Sequence, residues 1–340
     1  MTSPEPKRVT LGDVALLAGV SAQTVSRVVN HHPYVSEQTR QRVTDAIHQL
    51  DYRPNRAARS LVTQRSCMIG IITFGIPNYG PAQMLTHVER MAKARGYGVG
   101  FAAITHMSSD EIREAITNLG DHAIDGLVLL TPTEGVSHDE LTQVCGGIPF
   151  VQIDVELGTQ APSVVIDQWH GSQLATQHLI DLGHRDICEI SGPSNWYGAQ
   201  ARHRSWIATM QAAGLTPGLS VEGDWSPQSG YEKTCEVLDR GAHFSALVAG
   251  NDQMALGALR ALREHHLRIP EDVSVVGFDD IPEAAYFEPP LTTVRQDFAA
   301  LGAQSLEYLV ALLGYPDTPV HQRVLYPELI ERRSTCQANR

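Results

Sequence analysis

The sequence predicts an α/β protein in two parts: an N-terminal all-α headpiece with a helix-turn-helix, and a two-lobed body of two doubly wound parallel sheets. Three observations carry that expectation. Residues 9–52 show helical spacing interrupted by a glycine turn. From Cys67 onward, apolar strand-like runs alternate with amphipathic stretches, the pattern of parallel sheets joined by crossover helices. Charge changes sign at the same boundary: residues 1–65 hold nine Lys and Arg against five Asp and Glu, whereas the 340-residue chain is −12 overall. The expected organisation is a headpiece at 1–54, a connecting segment at 55–65 and a body at 66–340. The body's lobes are taken as about 66–166 with 297–325, and about 167–296 with 326–340.

In the headpiece, Leu11, Val14, Ala15 and Ala18 recur at helical spacing behind Thr10, a cap, with Asp13 in the first turn. Gly19 ends this helix, because glycine takes the left-handed conformation there at little cost. Ser21 caps a second helix, in which Val25, Val28 and Val29 turn inward while Gln23, Thr24 and Arg27 face out. Two short helices about a glycine turn offer the second to a DNA major groove. Taken alone, the motif suits a buried helical hairpin equally well. A third helix runs from Ser36 through Val43, Ile47 and Leu50, with Val35 in the staple position and Thr39 in its first turn. Pro54 disfavours helix at Arg53. Residues 56–62 are then good helix formers with too little apolar surface to be stable alone, a segment that DNA can order.

In the body, the first strands are expected at 67–74, 98–104, 126–130 and 149–154, with helices at 81–95, 110–119 and 139–145. A second set of strands, 163–167, 186–191, 246–250 and 273–278, alternates with helices at 171–182, 199–213, 230–240 and 253–264. A helix at 298–313 and a last strand at 322–329 complete it. Such sheets bind ligands outside the carboxyl ends of their strands. Asp154, Asn251-Asp252 and Asp279-Asp280 stand at those ends, with Arg204 early in a helix and Trp225 closing another segment. Each has a plain structural reading: Asp252 as a helix cap, Trp225 as a core aromatic, Arg204 as a surface ion-pair partner. Together, carboxylates, an amide, an arginine and an aromatic face suit a sugar, because an unpaired buried hydroxyl costs about 1–3 kcal/mol.

Composition narrows the function classes. Hydrophobic residues make up 42% of the chain, ordinary for a globular protein. No apolar run approaches the roughly 20 residues of a membrane helix. Residues 1–6 lack the apolar core of an export signal, so a cytoplasmic protein is expected. Cys67, Cys145, Cys188, Cys235 and Cys336 are odd in number and not closely spaced, which fits reduced thiols. No metal and no cofactor are expected, since His265-His266 after Glu264 reads as a solvated helix end. Gly96-Tyr97-Gly98-Val99-Gly100 enters a strand rather than leaving one, which excludes a dinucleotide fingerprint. Neither a nucleophile elbow, a P-loop nor a zinc-protease helix is present. An enzyme would have to be a glycosidase using Asp154 and Asp279 as its carboxylate pair, and none is expected. A head near +4 on a body near −16 suits a protein whose DNA contacts are confined to the head.

Residues 9–62 resemble the DNA-binding headpiece and hinge helix of the lactose-repressor/galactose-repressor family of bacterial transcription factors, most specifically through Gln23-Thr24-Val25-Ser26-Arg27-Val28-Val29-Asn30. The body resembles the same family through Gly223-Asp224-Trp225-Ser226, Asn251-Asp252-Gln253-Met254-Ala255-Leu256-Gly257-Ala258 and Pro289-Pro290-Leu291-Thr292-Thr293-Val294-Arg295-Gln296-Asp297-Phe298. The resemblance implies a periplasmic-binding-protein-like body, and a homodimeric repressor on palindromic double-stranded operator DNA. It implies that Ala22, Gln23 and Arg27 face base edges beside Ser26, and that Thr10, Ser21, Thr24, Asn30, Ser36 and Thr39 bond phosphates. Leu61 matches the hinge leucine that wedges into the minor groove, with Ala58 and Asn55 in the same segment. Ala22 stands where the lactose-responsive member has a tyrosine, so a different operator sequence is expected.

For the body the resemblance implies a sugar effector in the interlobe cleft, contacted by Asp154, Arg204, Trp225, Asn251, Asp279 and Gln296. Phe298, Met84, Ile153 and Ile166 would supply apolar walls. Phe74 falls where a sugar-bonding serine stands and Asn78 replaces a pocket leucine, which reshapes one edge. Trp225 and Gln296 favour a galactoside or related β-glycoside over a purine. No leucine-heptad tail follows Ser334, so a dimer is expected rather than a tetramer. The resemblance favours a sugar that lowers operator affinity; a ligand-promoted mode uses the same parts. A sugar-binding protein that does not touch DNA would leave residues 9–62 without a role.

Overall fold

The computed structural model describes residues 9–29, 34–52, 66–120, 124–133, 135–315 and 317–338, and the chain divides into compact units at 1–66 and 67–340. In the first unit, α1 (Leu11–Ala18), α2 (Ala22–Val29) and α3 (Glu37–Gln49) surround a small core. Val14, Val25 and Val43, one from each helix, are fully buried at its centre, and Tyr52 closes it. Thr10 and Asp13 form a capping box on α1, and Gly19 follows with φ 62°, the left-handed turn that aims α2.

The second unit holds two six-stranded sheets. The first contains β1 (Met68–Phe74), β2 (Gly98–Ile104), β3 (Gly126–Leu130), β4 (Phe150–Ile153), β5 (Ser163–Ile166) and β11 (Gln322–Leu325), in the order β2-β1-β3-β4-β5-β11 and parallel throughout. The second contains β6 (Ile187–Ser191), β7 (Ser220–Glu222), β8 (Ala246–Ala249), β9 (Ser274–Asp279), β10 (Thr292–Arg295) and β12 (Glu328–Ile330), in the order β7-β6-β8-β9-β10-β12. Only its edge strand β12 runs antiparallel.

Helices cover both faces of each sheet, so strand residues alternate between two cores. In β1, Ile69 and Ile71 pack with α4 (Tyr79–Ala94) and α11 (Phe298–Gly314), while Ile72 joins the cluster formed by α5 (Ser109–Gly120) and α6 (His138–Cys145). In the second lobe, α9 (Pro227–Asp239) and α10 (Asp252–Glu264) bury one core. The other lies under α7 (Gln168–Asp181) and α8 (Tyr197–Ala212).

The chain passes between lobes three times, at Asp167-Gln168, at Gln296-Asp297 and at Tyr326-Pro327. The last of these corrects a sequence expectation. Residues 322–329 are not one strand but β11 and β12, which belong to different sheets. Pro327 has no N–H to give a ladder, and the chain changes lobe there. Two strands, β7 and β10, had no counterpart in the sequence reading. β7 has three residues at an edge. β10 begins Thr-Thr, which reads as polar, yet both threonines are fully buried. The Thr293 hydroxyl donates to Asp252, and the Thr292 hydroxyl pairs with that of Thr335 at 3.2 Å.

Candidate DNA-reading helix and interlobe cleft

On α2 the 3.6-residue period separates two faces: Val25 and Val28 are buried, while Ala22, Gln23 and Arg27 are exposed on the opposite side. Val29, expected inside, is half-buried, as are Thr24 and Ser26. The hydroxyls read as phosphate ligands sit at helix starts. Ser21 accepts from the Thr24 amide at 3.1 Å, and Ser36 from the Thr39 amide at 3.3 Å. Thr10 accepts from the Asp13 amide at 3.3 Å. A helix start leaves its first amides without an intrahelical acceptor, which suits anionic oxygen. Asn30, Asn55, Ala58 and Leu61 lie outside the described residues.

In the body, the carboxyl ends of both sheets meet at one cleft. Loops after β4, β6, β7 and β8 bring Asp154, Trp196, Trp225 and Asn251 to Asp279, the last residue of β9, and Gln296 enters from the second lobe crossing. The strand orders reverse at β1 and at β6, so the cleft lies where doubly wound sheets place their ligands. Three of these side chains rest on left-handed backbone: Asp154 (φ 60°), Trp225 (φ 74°) and Asp279 (φ 107°). Such conformations cost about 1–3 kcal/mol each and gather at binding sites.

The polar side chains form a continuous chain. Arg202 donates through Nε and Nη2 to Gln168 Oε1 (2.9 and 2.7 Å), and through Nη1 to the Gly250 carbonyl. Gln168 donates to Gln296 Oε1 at 2.8 Å, and Gln296 donates to Asp279 Oδ1 at 2.6 Å. Gln168 and Gln296 belong to two different lobe crossings, so this chain ties the hinge to the cleft. The Arg202 guanidinium also lies 3.6 Å from the Phe278 ring centroid and 3.9 Å from Asp279. Burial raises the carboxyls of Asp154 and Asp279 and Arg202 opposes it, which leaves both at about 6.

Trp225 is held edge-on to Trp196, with ring centroids 5.8 Å apart. A Cβ on Gly192 would fall 2.0 Å from the Trp225 ring, so only glycine fits beneath it. Its indole N–H is a buried donor with no protein acceptor among the described residues. Trp196 reaches across to the first lobe: it bridges Thr133, its ring lies 5.7 Å from that of Phe74, and the Tyr197 amide donates to the Pro132 carbonyl at 2.8 Å. The free volume left between the cleft side chains is about 40 Å³.

Comparison with known proteins matches two stretches of the chain. Residues 10–55 match the family described as bacterial regulatory proteins, lacI family, and residues 176–335 match a periplasmic binding protein-like domain. The lactose operon repressor of Escherichia coli (strain K12) is 35% identical over 333 residues, covering 98% of this chain and 92% of that protein. The chain belongs to the lacI family. It is a DNA-binding transcriptional repressor rather than an enzyme. A second lacI-type relative, the repressor PurR of Haemophilus influenzae, is 36% identical over 96% of this chain and 98% of its own. A crystal structure of the Lac repressor dimer bound to operator and the anti-inducer ONPF superposes with a TM-score of 0.86 at 35% identity, covering 97% of this chain and all of that one. A CelR–cellobiose complex gives 0.71 at 33% identity, covering 96% and 100%.

Within this lacI-family chain, several positions differ from the sequence expectation. The arginine in the cleft is Arg202, not Arg204. Two residues along a helix is about 200° around its axis, so Arg204 points out and pairs loosely with Glu156 at 3.8 Å. Phe74 packs on Trp196 behind the cleft, and Phe298 packs on Tyr79 and lines an adjoining cavity with Asp279 and Gln296. Ile153 and Ile166 are core residues of the first lobe, whereas Met84 does line the cleft. Asn251, not Asp252, caps α10, accepting from the Met254 amide at 2.8 Å. Asp252 is buried and instead accepts from the Ile281 amide at 2.8 Å and from Thr293.

Sequence reasoning missed Gln168, Trp196, Tyr79 and Arg202. Trp196 alone left a signal, as a tryptophan just after a strand's carboxyl end. No group of His, Cys, Asp and Glu among the described residues is arranged to hold a metal, and no helix among them is long and apolar enough to cross a membrane.

Proposed function

We propose that this chain is a cytoplasmic, sugar-responsive repressor, acting as a homodimer on a palindromic operator and released when a galactoside or related β-glycoside enters the interlobe cleft. The headpiece would read bases through Ala22, Gln23 and Arg27 beside Ser26. Thr10, Ser21, Thr24, Asn30, Ser36 and Thr39 would hold phosphates, and Asn55, Ala58 and Leu61 would form the hinge in the minor groove. The operator-bound dimer of the Lac repressor supports this assembly.

The observation that carries the sugar reading is the company Trp225 keeps. An aromatic ring held over Gly192 stands with Asp154, Asp279, Asn251, Arg202 and Gln296. Carboxylates, an amide and a guanidinium bond vicinal hydroxyls, and the ring covers the apolar face of a pyranose. The free volume supports the coupling. About 40 Å³ admits a few waters, not a hexose. A sugar therefore enters only an arrangement in which the lobes part or Arg202 withdraws. A ligand that fits one arrangement and not the other shifts the population between them.

The test is a panel of galactosides, glucosides and disaccharides scored for thermal stabilisation and for release of labelled operator by fluorescence anisotropy. Stabilisation with release supports the proposal. Stabilisation with tighter operator binding would reverse the sign, and stabilisation by a purine alone would replace the sugar.

A further inference from the structure

Glu189 is a carboxylate set into an otherwise apolar strand, β6, and is 3% exposed. Its side of the strand, shared with Ile187, faces the core that holds Trp206 and Met210 of α8. A buried charge persists only where it is paired and hydrogen-bonded. Two donors meet its Oε2: the Ser220 hydroxyl of β7 at 2.6 Å and Nδ1 of His203 on α8 at 2.5 Å. The His203 ring is stacked on Trp206, with the planes 27° apart, which fixes its direction. Neither Glu189 nor His203 lines the cleft.

We infer that His203 and Glu189 are positioning residues: they fix the roll of α8 about its axis, and with it the seat of Arg202 in the cleft. The inference holds for whatever ligand the cleft takes, so it stands apart from the carbohydrate reading. Arg202 precedes His203 in the chain and lies about 100° around the helix from it. A roll that lengthens the His203–Glu189 bond therefore shifts the guanidinium against Gln168 and the Gly250 carbonyl. Ser172 of α7 donates to the Arg202 carbonyl, and Ser205 donates to the Trp169 carbonyl of α7, each at 2.7 Å. Both of those ties run to a neighbouring helix, whereas His203 ties the same stretch to the sheet. Its bond is strongest with an imidazolium, because a hydrogen bond between opposite charges is about twice as strong as a neutral one. The hydrogen bond to Glu189 holds His203 above its ordinary value, and burial opposes it. Around the ring, β7 presents Ser220 and, on the same face, the exposed Glu222, while α7 presents Trp169 and Ser172, which do not titrate. On its own helix, Arg202 points into the cleft and Arg204 outward to Glu156. As pH rises through the histidine's value, Glu189 keeps only neutral donors, α8 loses part of its hold, and Arg202 leaves the cleft more readily.

The experiment is phenylglyoxal labelling of the full chain between about pH 6 and 9, a range that brackets histidine titration, with the adducts located by peptide mass spectrometry. Labelling of Arg202 is divided by that of Arg204, exposed two residues away on the same helix, which cancels the reagent's own pH dependence. In the wild type this ratio should rise severalfold along a single titration curve. His203→Gln keeps a donor without the charge, so its ratio should start near the wild type's alkaline level and stay flat. Arg332, in the same lobe and bound to Asp280, should show no rise when scaled in the same way. A flat wild-type ratio overturns the inference, whatever becomes of the variant. An equal rise at Arg332 also overturns it, since that is general loosening of the lobe, as does a His203→Gln ratio that still titrates.

Discussion

Trp225 sits at φ 74° with its ring over a residue that has no side chain. That conformation is unfavourable for a bulky residue, so the surrounding loop must impose it. Two substitutions separate ring from position. Trp225→Ala should abolish sugar response while operator binding persists, as read by operator anisotropy with and without sugar. Gly192→Ala should do much the same without touching the ligand, because its methyl displaces the ring; a normal response there would place the sugar elsewhere.

Protonation gives a second prediction at this scale. His203 donates toward the buried Glu189, 2.5 Å away, and that hydrogen bond raises the histidine above its ordinary value near 6.5. Asp154 and Asp279 are also raised, to about 6, by burial. In all three the protonated form is favoured by folding. Their contribution is complete below each group's unfolded value and fades as pH rises through the folded one. The melting temperature should therefore fall from about pH 4 to about pH 6 as the two aspartates lose their protons, and again above about pH 6.5 as His203 loses its own. His203→Gln should flatten the upper part of that slope and Asp279→Asn the lower part. A profile unaltered in both variants contradicts the assignment.

At the scale of elements, the three headpiece helices were legible because each carries its own start signal. Thr10, Ser21 and Ser36 are all found accepting from the amide three residues on. The period that buries Val25 and Val28 is the same that exposes Gln23 and Arg27. Arg27→Ala is accordingly expected to weaken specific operator binding by about 1–3 kcal/mol and to relax preference at one base, measured by competition among operator variants. Uniform weakening across all sequences would reassign Arg27 to a phosphate. Body strands were legible wherever they are central, as apolar runs buried on both faces. β7 was missed because three edge residues carry no period, and β10 because its buried threonines are satisfied by distant partners, Asp252 and Thr335.

At the scale of the whole molecule, two side-chain arrangements tie the lobes together beside the three chain crossings. The Arg202–Gln168–Gln296–Asp279 chain spans two of the crossings, and the Trp196 loop bridges the opposite lobe through Thr133 and Pro132. On the proposed reading, a sugar that parts the lobes works against both. Trp196→Ala removes the ring that packs on Phe74, so it should favour the parted arrangement. The expected outcome is weaker operator binding without sugar, together with tighter sugar binding. Linkage requires that sugar and operator reduce each other's affinity by one common factor, within the usual coupling of about 1–3 kcal/mol. Unequal factors in the two titrations would exclude a single two-state equilibrium.

By itself the sequence determined the division into head and body, the alternation of strand and helix, and the carboxylates, amide and tryptophan at strand ends. All of these follow from local chemistry: capping groups, hydrophobic period, and the rule that strand ends face ligands. Only the tertiary structure decided which arginine enters the cleft, that residues 322–330 serve two sheets, and that Gln168 and Trp196 belong to the site. Those facts depend on helical phase and on contacts between residues more than a hundred positions apart, such as Gln168 and Gln296. Local spacing holds no record of a partner brought near by folding alone.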